Sequence, residues 1–211
     1  MARMILASRV LPALHALRRG LSRRHRDPAS PKWRIAYIPA ADDHELSRWF
    51  RPLVRLAMRL NGFRVRTVDL ATTMRDEVKR SLAASDVIWV GGGNSFHLLH
   101  ELKRSGAGRV IASLVHAGKP YVGVSAGAVV AAPDISYIEP MDDRAVAADL
   151  DDTAGLNLVD FRVIPHLDHP FMGRAARLIA SLERRRGHVT HVLEDAWTVV
   201  VNDAKVLIHR R

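Results

Sequence analysis

Short apolar runs alternate with stretches of helical periodicity along most of the chain. In residues 43–61 the apolar side chains recur every three or four positions, which predicts a helix with one buried face. Strands are predicted at 34–40, 63–70, 86–90, 121–124 and 161–165, and helices at 43–61, 73–84, 95–105, 108–117 and 171–185. Because this alternation implies crossover connections, we expect an α/β fold, a three-layer α/β/α sandwich with a mostly parallel sheet.

The remaining segments follow other patterns. Residues 133–160 are acidic and have no clear period, so we expect a loop or a small hairpin there. Three strand-like segments, at 189–195, 196–203 and 205–210, close the chain. Asn202 and Asp203 indicate a hairpin turn between the last two of them.

The net charge of +10 is concentrated at the N-terminus. Residues 1–34 carry eight arginines and one lysine against a single acid, Asp27, which gives +8. Residues 35–211 carry 23 basic and 21 acidic side chains, which gives +2. Because a nearly neutral domain has no basic face for nucleic acid, we expect no nucleic-acid partner for the core.

Residues 1–33 have three interpretations. An Arg-rich, acid-poor segment fits a basic amphipathic helix on a membrane or an organellar presequence. A secretory signal is disfavoured because Arg9 and Pro12 interrupt its apolar stretch. We favour a disordered or weakly helical extension, because charge runs are usually solvated. The domain prediction is therefore a basic extension at 1–33 followed by one folded domain at 34–211.

Composition excludes several classes of protein and of site. The 211 residues include no cysteine, so disulfides, thiolate metal sites and a cysteine nucleophile are excluded. No apolar run approaches the ~18–20 residues that a membrane-spanning helix needs.

A serine lies between two glycines where a predicted strand turns into a helical segment. Ser125 is the centre of Gly-Val-Ser-Ala-Gly at 123–127, directly after the strand at 121–124. This is the setting of a nucleophile elbow, whose sharp turn needs small neighbours and raises the hydroxyl above the sheet. The N–H of Ala126 would then stabilise an oxyanion. The alternative is a glycine-rich turn in which the serine only caps a helix.

A second glycine-rich turn, Gly-Gly-Gly-Asn at 91–94, follows the strand at 86–90. Ligands of open α/β sheets bind at the carboxyl ends of the strands, so we expect this turn to face Ser125 across one crevice. The N–H groups of Gly92 and Gly93 could complete an oxyanion hole. A phosphate-binding loop is disfavoured because its Lys and Ser/Thr are missing.

A serine nucleophile needs a base, and the base needs an orienting acid. His166 follows the strand at 161–165 and is the preferred base, with His169 as a competitor. The two could instead form a metal pair, but this is disfavoured because no third ligand has a suitable spacing. The candidate acids are Glu194 and Asp195 at the end of a strand, and Glu139 and Asp142 in the loop after the elbow.

Four motifs together resemble one known family. They are GGGNSFHLL at 91–99, YVGVSAGAVV at 121–130, IPH at 164–166 and VLEDAW at 192–197. In this order they are similar to the peptidase E family of serine peptidases, the aspartyl dipeptidases. Those have the class I glutamine amidotransferase-like (flavodoxin-like) fold, with serine in place of the amidotransferase cysteine.

The resemblance implies a Ser-His-Glu triad formed by Ser125, His166 and Glu194. It also implies an oxyanion hole formed by the Gly-rich loop and the N–H of Ala126. The candidate substrate-binding residues are Asn94, Arg174 and Arg177, the two arginines lying where the dipeptidases carry basic residues.

The implied activity is hydrolysis of short peptides, with release of aspartate from Asp-X dipeptides, by a cytoplasmic monomer or homodimer. The resemblance also implies that this activity needs neither a metal nor a cofactor. Asp168 and the acidic segment 142–152 would repel an acidic substrate and would suit a cationic one. Two alternatives stay open: a catalytically silent amidotransferase-like binding domain, and a cyanophycinase-like peptidase of related fold and triad.

Overall fold

The computed structural model describes residues 3–21, 32–39, 45–202 and 205–210, with residues 45–50 described as backbone. The strands are β1 (Arg3–Ala7), β2 (Arg34–Ile38), β3 (Arg64–Thr67), β4 (Val87–Val90), β5 (Tyr121–Val124), β6 (Arg162–Ile164), β7 (Thr190–Val192), β8 (Thr198–Asn202) and β9 (Lys205–His209). The helices are α1 (Val10–Gly20), α2 (Glu45–Leu60), α3 (Arg75–Ala84), α4 (Ser95–Arg104), α5 (Ala107–His116), α6 (Ala126–Val129) and α7 (Gly173–Arg185).

The central sheet has seven strands in the order β3-β2-β4-β5-β1-β8-β9. The first five strands of this order are parallel, whereas β8 is antiparallel to β1 and β9 is antiparallel to β8. The predicted hairpin between the last two strands is therefore confirmed. Asn202, predicted in the turn, instead ends β8 and pairs with Lys205, and Asp203 lies outside the described residues.

Helices pack on both faces of the sheet, so the predicted three-layer α/β architecture is confirmed. On one face, α1 and α2 bury an apolar cluster that includes Leu14, Met58 and Trp89. On the other face, α3, α4 and α5 pack over a larger cluster that includes Leu82, Phe96 and Ile111. Two helical layers leave the carboxyl ends of the parallel strands free to carry a site.

The prediction of a basic extension over residues 1–33 is wrong for residues 3–21. β1 lies inside the sheet, parallel to β5 on one side and antiparallel to β8 on the other, and α1 packs across it. Met4, Ile5, Leu6 and Ala7 are all buried, and the flanking arginines lie at the ends of the strand. Burial of this apolar run outweighs the high local charge. Residues 22–31 of the predicted extension lie outside the described residues.

The strands predicted at 161–165 and 189–195 do not join the central sheet. β6 and β7 pair with each other in a separate two-stranded parallel sheet, connected through α7. The acidic segment 133–160 contains two short 3₁₀ helices, Ser136–Ile138 and Arg144–Ala147, and otherwise runs as loop. Among the helices that the structure describes, none is long and apolar enough to cross a membrane.

We predict that Leu6→Ala lowers the free energy of unfolding by about 2–5 kcal/mol, because it leaves a cavity in a fully buried site between two strands. Leu11→Ala is the matched control in the same N-terminal segment, since Leu11 is 58% exposed on α1. It should change stability by no more than about 0.5 kcal/mol. Urea denaturation measures both, and equal effects would contradict the placement of β1.

Candidate active site

Ser125 lies at a strained turn between β5 and α6. Its backbone has φ 53° and ψ −115°, a conformation that residues other than glycine rarely adopt. Its N–H donates to the carbonyl oxygen of Ala7 at 2.8 Å, which anchors the turn to the end of β1. This geometry is that of the predicted nucleophile elbow.

The glycines of the turn are required by the close approach of backbone. A Cβ atom on Gly123 would lie 2.3 Å from the carbonyl oxygen of Gly127. A Cβ atom on Gly127 would lie 2.3 Å from the carbonyl oxygen of Val90. The Gly127 carbonyl also accepts a hydrogen bond from the buried hydroxyl of Tyr121 at 2.6 Å. The elbow is thus packed directly against β4 and β5, with no room for larger residues.

The structure brings His166 to Ser125. Nε2 of His166 lies 2.9 Å from Oγ of Ser125, and the histidine is 8% exposed. The backbone of His166 is itself in the left-handed region, with φ 67°. Its N–H donates to the hydroxyl of Ser8 at 3.1 Å, which fixes the turn after β6 against the end of β1.

The acid that contacts His166 is Asp195, so the prediction of Glu194 is wrong on geometry. Nδ1 of His166 lies 2.7 Å from Oδ1 of Asp195, whereas none of the described contacts of His166 involves Glu194. Glu194 and Asp195 lie where the chain turns between β7 and β8, with the N–H of Trp197 donating to the carbonyl oxygen of Glu194, and this turn brings the carboxylate of Asp195 to the histidine. The N–H of Asp195 donates to Oδ1 of Asp168 at 2.7 Å, which helps to hold the aspartate in place.

The other two candidate acids have partners elsewhere. Glu139 pairs with Arg144 at 3.2 Å. Oδ2 of Asp142 accepts the N–H of Ser95 at 2.8 Å, at the start of α4. Neither therefore serves as the orienting acid in this structure.

A side chain that sequence reasoning did not identify completes the network. Nη2 of Arg9 lies 2.5 Å from Oδ2 of Asp195, so both carboxylate oxygens have a partner. Burial alone would raise the pKa of Asp195, but the hydrogen bonds from Arg9 and His166 outweigh it and lower the pKa. The carboxylate thus remains ionised beside the imidazole.

Burial dominates the electrostatics of the histidine itself. It lowers the pKa of His166 below its ordinary value, although the hydrogen bond to Asp195 opposes the shift. The ionised aspartate can only accept, so the proton of the neutral ring lies on Nδ1. Nε2 is then the acceptor for the hydroxyl of Ser125, as a general base requires.

The glycine-rich turn after β4 lies against the serine, as predicted. A Cβ atom on Gly92 would lie 3.1 Å from Cβ and 3.6 Å from Oγ of Ser125. Gly93 has φ 128°, which favours glycine, and Ala126 is the first residue of α6. Gly92 thus lies beside the hydroxyl, and an oxyanion hole formed by Gly92, Gly93 and Ala126 stays a prediction.

The three predicted substrate-binding residues have different settings. Oδ1 of Asn94 accepts the N–H groups of Phe96 and His97, so this side chain caps α4. Arg177 donates to the carbonyl oxygen of Leu167 at 3.0 Å and so braces the loop after His166. Arg174 is exposed on α7.

His169 is a neighbour of the base and not its substitute. Its ring centroid lies 5.6 Å from that of His166, and its Nδ1 accepts the N–H groups of Phe171 and Met172 at 3.3 Å. Within the described ranges, no group of three or more His, Asp or Glu side chains could hold a metal ion.

Ser8, Arg9 and Asp168 are the site residues that sequence reasoning missed or read differently. A signal for the first two was present: the apolar run Met-Ile-Leu-Ala at 4–7 ends in Ser-Arg, as a buried strand followed by a polar turn would. Asp168 had been considered only as a charge that repels acidic substrates. Its contact with the N–H of Asp195 depends on a turn pairing that periodicity does not reveal.

Comparison with known proteins finds peptidases among the relatives of this chain. The model of peptidase family S51 matches residues 16–209. An uncharacterized peptidase of Listeria innocua is 35% identical over 174 residues, which cover 82% of each chain. Peptidase E of Streptomyces coelicolor is 35% identical over 188 residues, covering 82% of this chain and 70% of its own.

Solved structures have the same fold. A peptidase E-like protein from Listeria monocytogenes EGD-e superposes with a TM-score of 0.87 at 30% identity, covering 100% of this chain and 99% of its own. A peptidase from an acI-B1 actinobacterium gives a TM-score of 0.70 at 18% identity, covering 100% of this chain and 88% of its own, and so supports the fold alone.

We predict that Gly127→Ala destabilises the protein by about 1–3 kcal/mol or more, because the added methyl group meets rigid backbone of β4. Gly108→Ala is the matched control, since its Cβ atom would crowd only the end of the Leu156 side chain, at 3.1 Å, and would lie at ordinary contact distance, 3.5 Å, from the carbonyl oxygen of Leu102. Alanine is also favoured over glycine in a helix by ~1 kcal/mol, so this control should be neutral or stabilising. Thermal unfolding distinguishes the two, and similar losses would argue against a backbone-limited elbow.

Proposed function

Because this chain belongs to peptidase family S51, we propose that it is a serine peptidase that hydrolyses short peptides through an acyl-enzyme. In this proposal Ser125 is the nucleophile, His166 is the general base and acid, and Asp195 orients the imidazole. The observation that carries it is the continuous hydrogen-bond path from Oγ of Ser125 through His166 to Asp195, with distances of 2.9 and 2.7 Å.

The first half of the reaction forms the acyl-enzyme. Oγ of Ser125 attacks the scissile carbonyl carbon while Nε2 of His166 takes the hydroxyl proton. The carbonyl oxygen becomes an oxyanion, which the N–H groups of the Gly92–Gly93 turn and of Ala126 would stabilise. Each such donor is worth roughly 2.7–4 kcal/mol of transition-state stabilisation. The imidazolium then gives its proton to the leaving amine as the C–N bond breaks.

The second half releases the product. A water molecule gives a proton to Nε2 of His166 and attacks the ester carbonyl carbon. The C–O bond to Ser125 then breaks, and the proton returns to the serine oxygen. Throughout, the ionised Asp195 keeps the Nδ1 proton in place and stabilises the imidazolium.

For the substrate, we propose short peptides with an N-terminal aspartate, as the resemblance to the dipeptidases suggests. A substrate carboxylate needs a cation at the site, and exposed Arg174 is the available candidate among the predicted residues. Asp168 accepts the N–H of Asp195 and has a cation nearby: the pKa of the Arg9 guanidinium is raised mainly by its hydrogen bond to Asp195 and also by the charge of Asp168. Its repulsion of an acidic substrate is reduced accordingly.

The close geometry of the triad argues against a silent binding domain. Such a domain would have no need to keep the hydroxyl, the imidazole and the carboxylate within hydrogen-bond distance of one another. It would also have no need for the strained backbone of Ser125 and His166, which costs of order 1–3 kcal/mol per residue.

The test is hydrolysis of a dipeptide panel, Asp-X, Glu-X, Ala-X, Lys-X and Asp-Arg, by the wild type and three variants. We expect wild-type turnover that Ser125→Ala abolishes. Asp195→Asn should lower kcat by about 10³–10⁴-fold, because the amide favours the wrong imidazole tautomer. Glu194→Gln is the adjacent control and should retain activity within a few-fold.

Each outcome of the panel decides a different part of the proposal. Release of aspartate would support Arg174 as its cationic partner, whereas cleavage of another member alone would keep the triad and discard that specificity. If Glu194→Gln is the damaging change, the assignment of Asp195 is wrong. If the folded wild type hydrolyses no member, the silent domain is favoured.

We also predict the pH dependence of the reaction. Protonated His166 cannot accept the serine proton, so kcat/KM should rise with pH as the imidazole loses its proton. Because burial lowers the pKa of His166 from 6.5, half of the maximum should be reached below pH 6.5. Circular dichroism over the same range separates this titration from acid unfolding. A midpoint at or above 6.5 would contradict the prediction.

A further inference from the structure

Arg9 occupies an unusual position for a residue near the start of a chain. It directly follows Ser8 at the carboxyl end of β1, the edge of the sheet where the elbow and the glycine-rich turn also lie. Its side chain is 53% exposed, yet it contacts a carboxylate that is only 16% exposed. The contact therefore links an exposed guanidinium to a largely buried carboxylate that is itself hydrogen-bonded to His166.

The contact uses the one oxygen of Asp195 that His166 does not. Oδ1 of Asp195 faces Nδ1 of the histidine at 2.7 Å, and Oδ2 faces Nη2 of Arg9 at 2.5 Å. With its N–H bound to Asp168, the aspartate is held at three points, by Arg9 after β1 and by His166 and Asp168 in the loop after β6. The carboxylate cannot rotate away from the imidazole without breaking a charge-assisted hydrogen bond.

We propose that Arg9 is a positioning residue for the reaction, which holds Asp195 in line with His166 and keeps it ionised. This inference rests on the proposed function for its catalytic consequence. Arg9 acts through Asp195 and needs no contact with the substrate.

The charged neighbours of His166 give the proposal a pH signature. They are Asp195 from the turn after β7, His169 from its own loop and Arg9 from the end of β1, while Asp168 binds the N–H of Asp195. The positive charge of Arg9 lowers the pKa of both Asp195 and His166. Loss of that charge should therefore raise both pKa values. The rise of kcat/KM with pH, which follows deprotonation of His166, should then move to higher pH.

Most exposed ion pairs contribute little, because solvent screens them. This pair differs in that its acid is largely buried and is already fixed by two further hydrogen bonds. Arginine is also protonated at every working pH, so it can hold a carboxylate where a histidine could not.

The experiment compares Arg9→Gln, Arg9→Lys and Arg18→Gln in the full-length chain. Arg18→Gln is the matched control: it removes the same charge from the same segment, but Arg18 lies on α1 and donates to Asn61. We measure kcat and KM from pH 4.5 to 8.5 on whichever dipeptide the wild type cleaves. In parallel, the titration of His166 is followed by ¹⁵N NMR without substrate.

We expect Arg9→Gln to lower kcat about tenfold at pH 7 with little change in KM, equivalent to ~1.4 kcal/mol of activation free energy. Its acid limb and the NMR titration of His166 should both move to higher pH. Arg9→Lys should restore much of kcat and return both titrations towards the wild type. Arg18→Gln should match the wild type throughout.

Three results would overturn the proposal. A raised KM with unchanged kcat and unchanged titration would make Arg9 a substrate-binding residue. A loss of folded protein without a shifted titration would make its role structural only. Wild-type behaviour of Arg9→Gln would make the ion pair incidental. If the wild type cleaves no peptide, the proposed function fails, but the NMR titration still tests the coupling of Arg9 to His166.

Discussion

The site depends on the insertion of β1 between β5 and β8. Once that strand is paired, three consecutive residues at its end each hold one member of the triad. The carbonyl of Ala7 accepts the N–H of Ser125, the hydroxyl of Ser8 accepts the N–H of His166, and Arg9 binds the carboxylate of Asp195. Ser125, His166 and Asp195, the proposed catalytic residues, come from distant parts of the chain, so a common support of this kind fixes their mutual geometry.

This support also explains how the strained backbone of the site is maintained. Ser125 and His166 both have positive φ, which neither residue type adopts without a cost. Each donates its backbone N–H to the end of β1, and the elbow is further held by the hydroxyl of Tyr121 on the carbonyl of Gly127. The hydrogen bonds to the buried strands therefore offset the conformational free energy that the two strained turns cost.

Sequence patterns predicted the parts of this arrangement that are local. Ser125 and Gly92 follow adjacent parallel strands, whose carboxyl ends meet at one edge of the sheet, so these two residues could be placed together. His166 also follows an apolar strand, but β6 lies outside the central sheet, so this rule does not explain its place beside Ser125. The choice between Glu194 and Asp195 could not be made this way, because it depends on the direction of one side chain after β7 ends. The place of β1 was missed for another reason: its short apolar run lies in a segment whose arginines dominate its composition.

The ion pair between Arg9 and Asp195 also affects whether the site can accept an acidic substrate. Asp168 and Asp195 place two carboxylates beside the base, which by themselves would disfavour a substrate with an N-terminal aspartate. The guanidinium of Arg9 offsets the negative charge of Asp195 directly. The backbone N–H of Asp195 donates a hydrogen bond to Oδ1 of Asp168. The positive charge of Arg9 thus reduces the negative charge that an approaching substrate would meet, and Phe171 and Arg174 are both exposed in the segment after His169. Positioning of the triad acid and tolerance of an acidic substrate would thus follow from the same arginine at the end of β1.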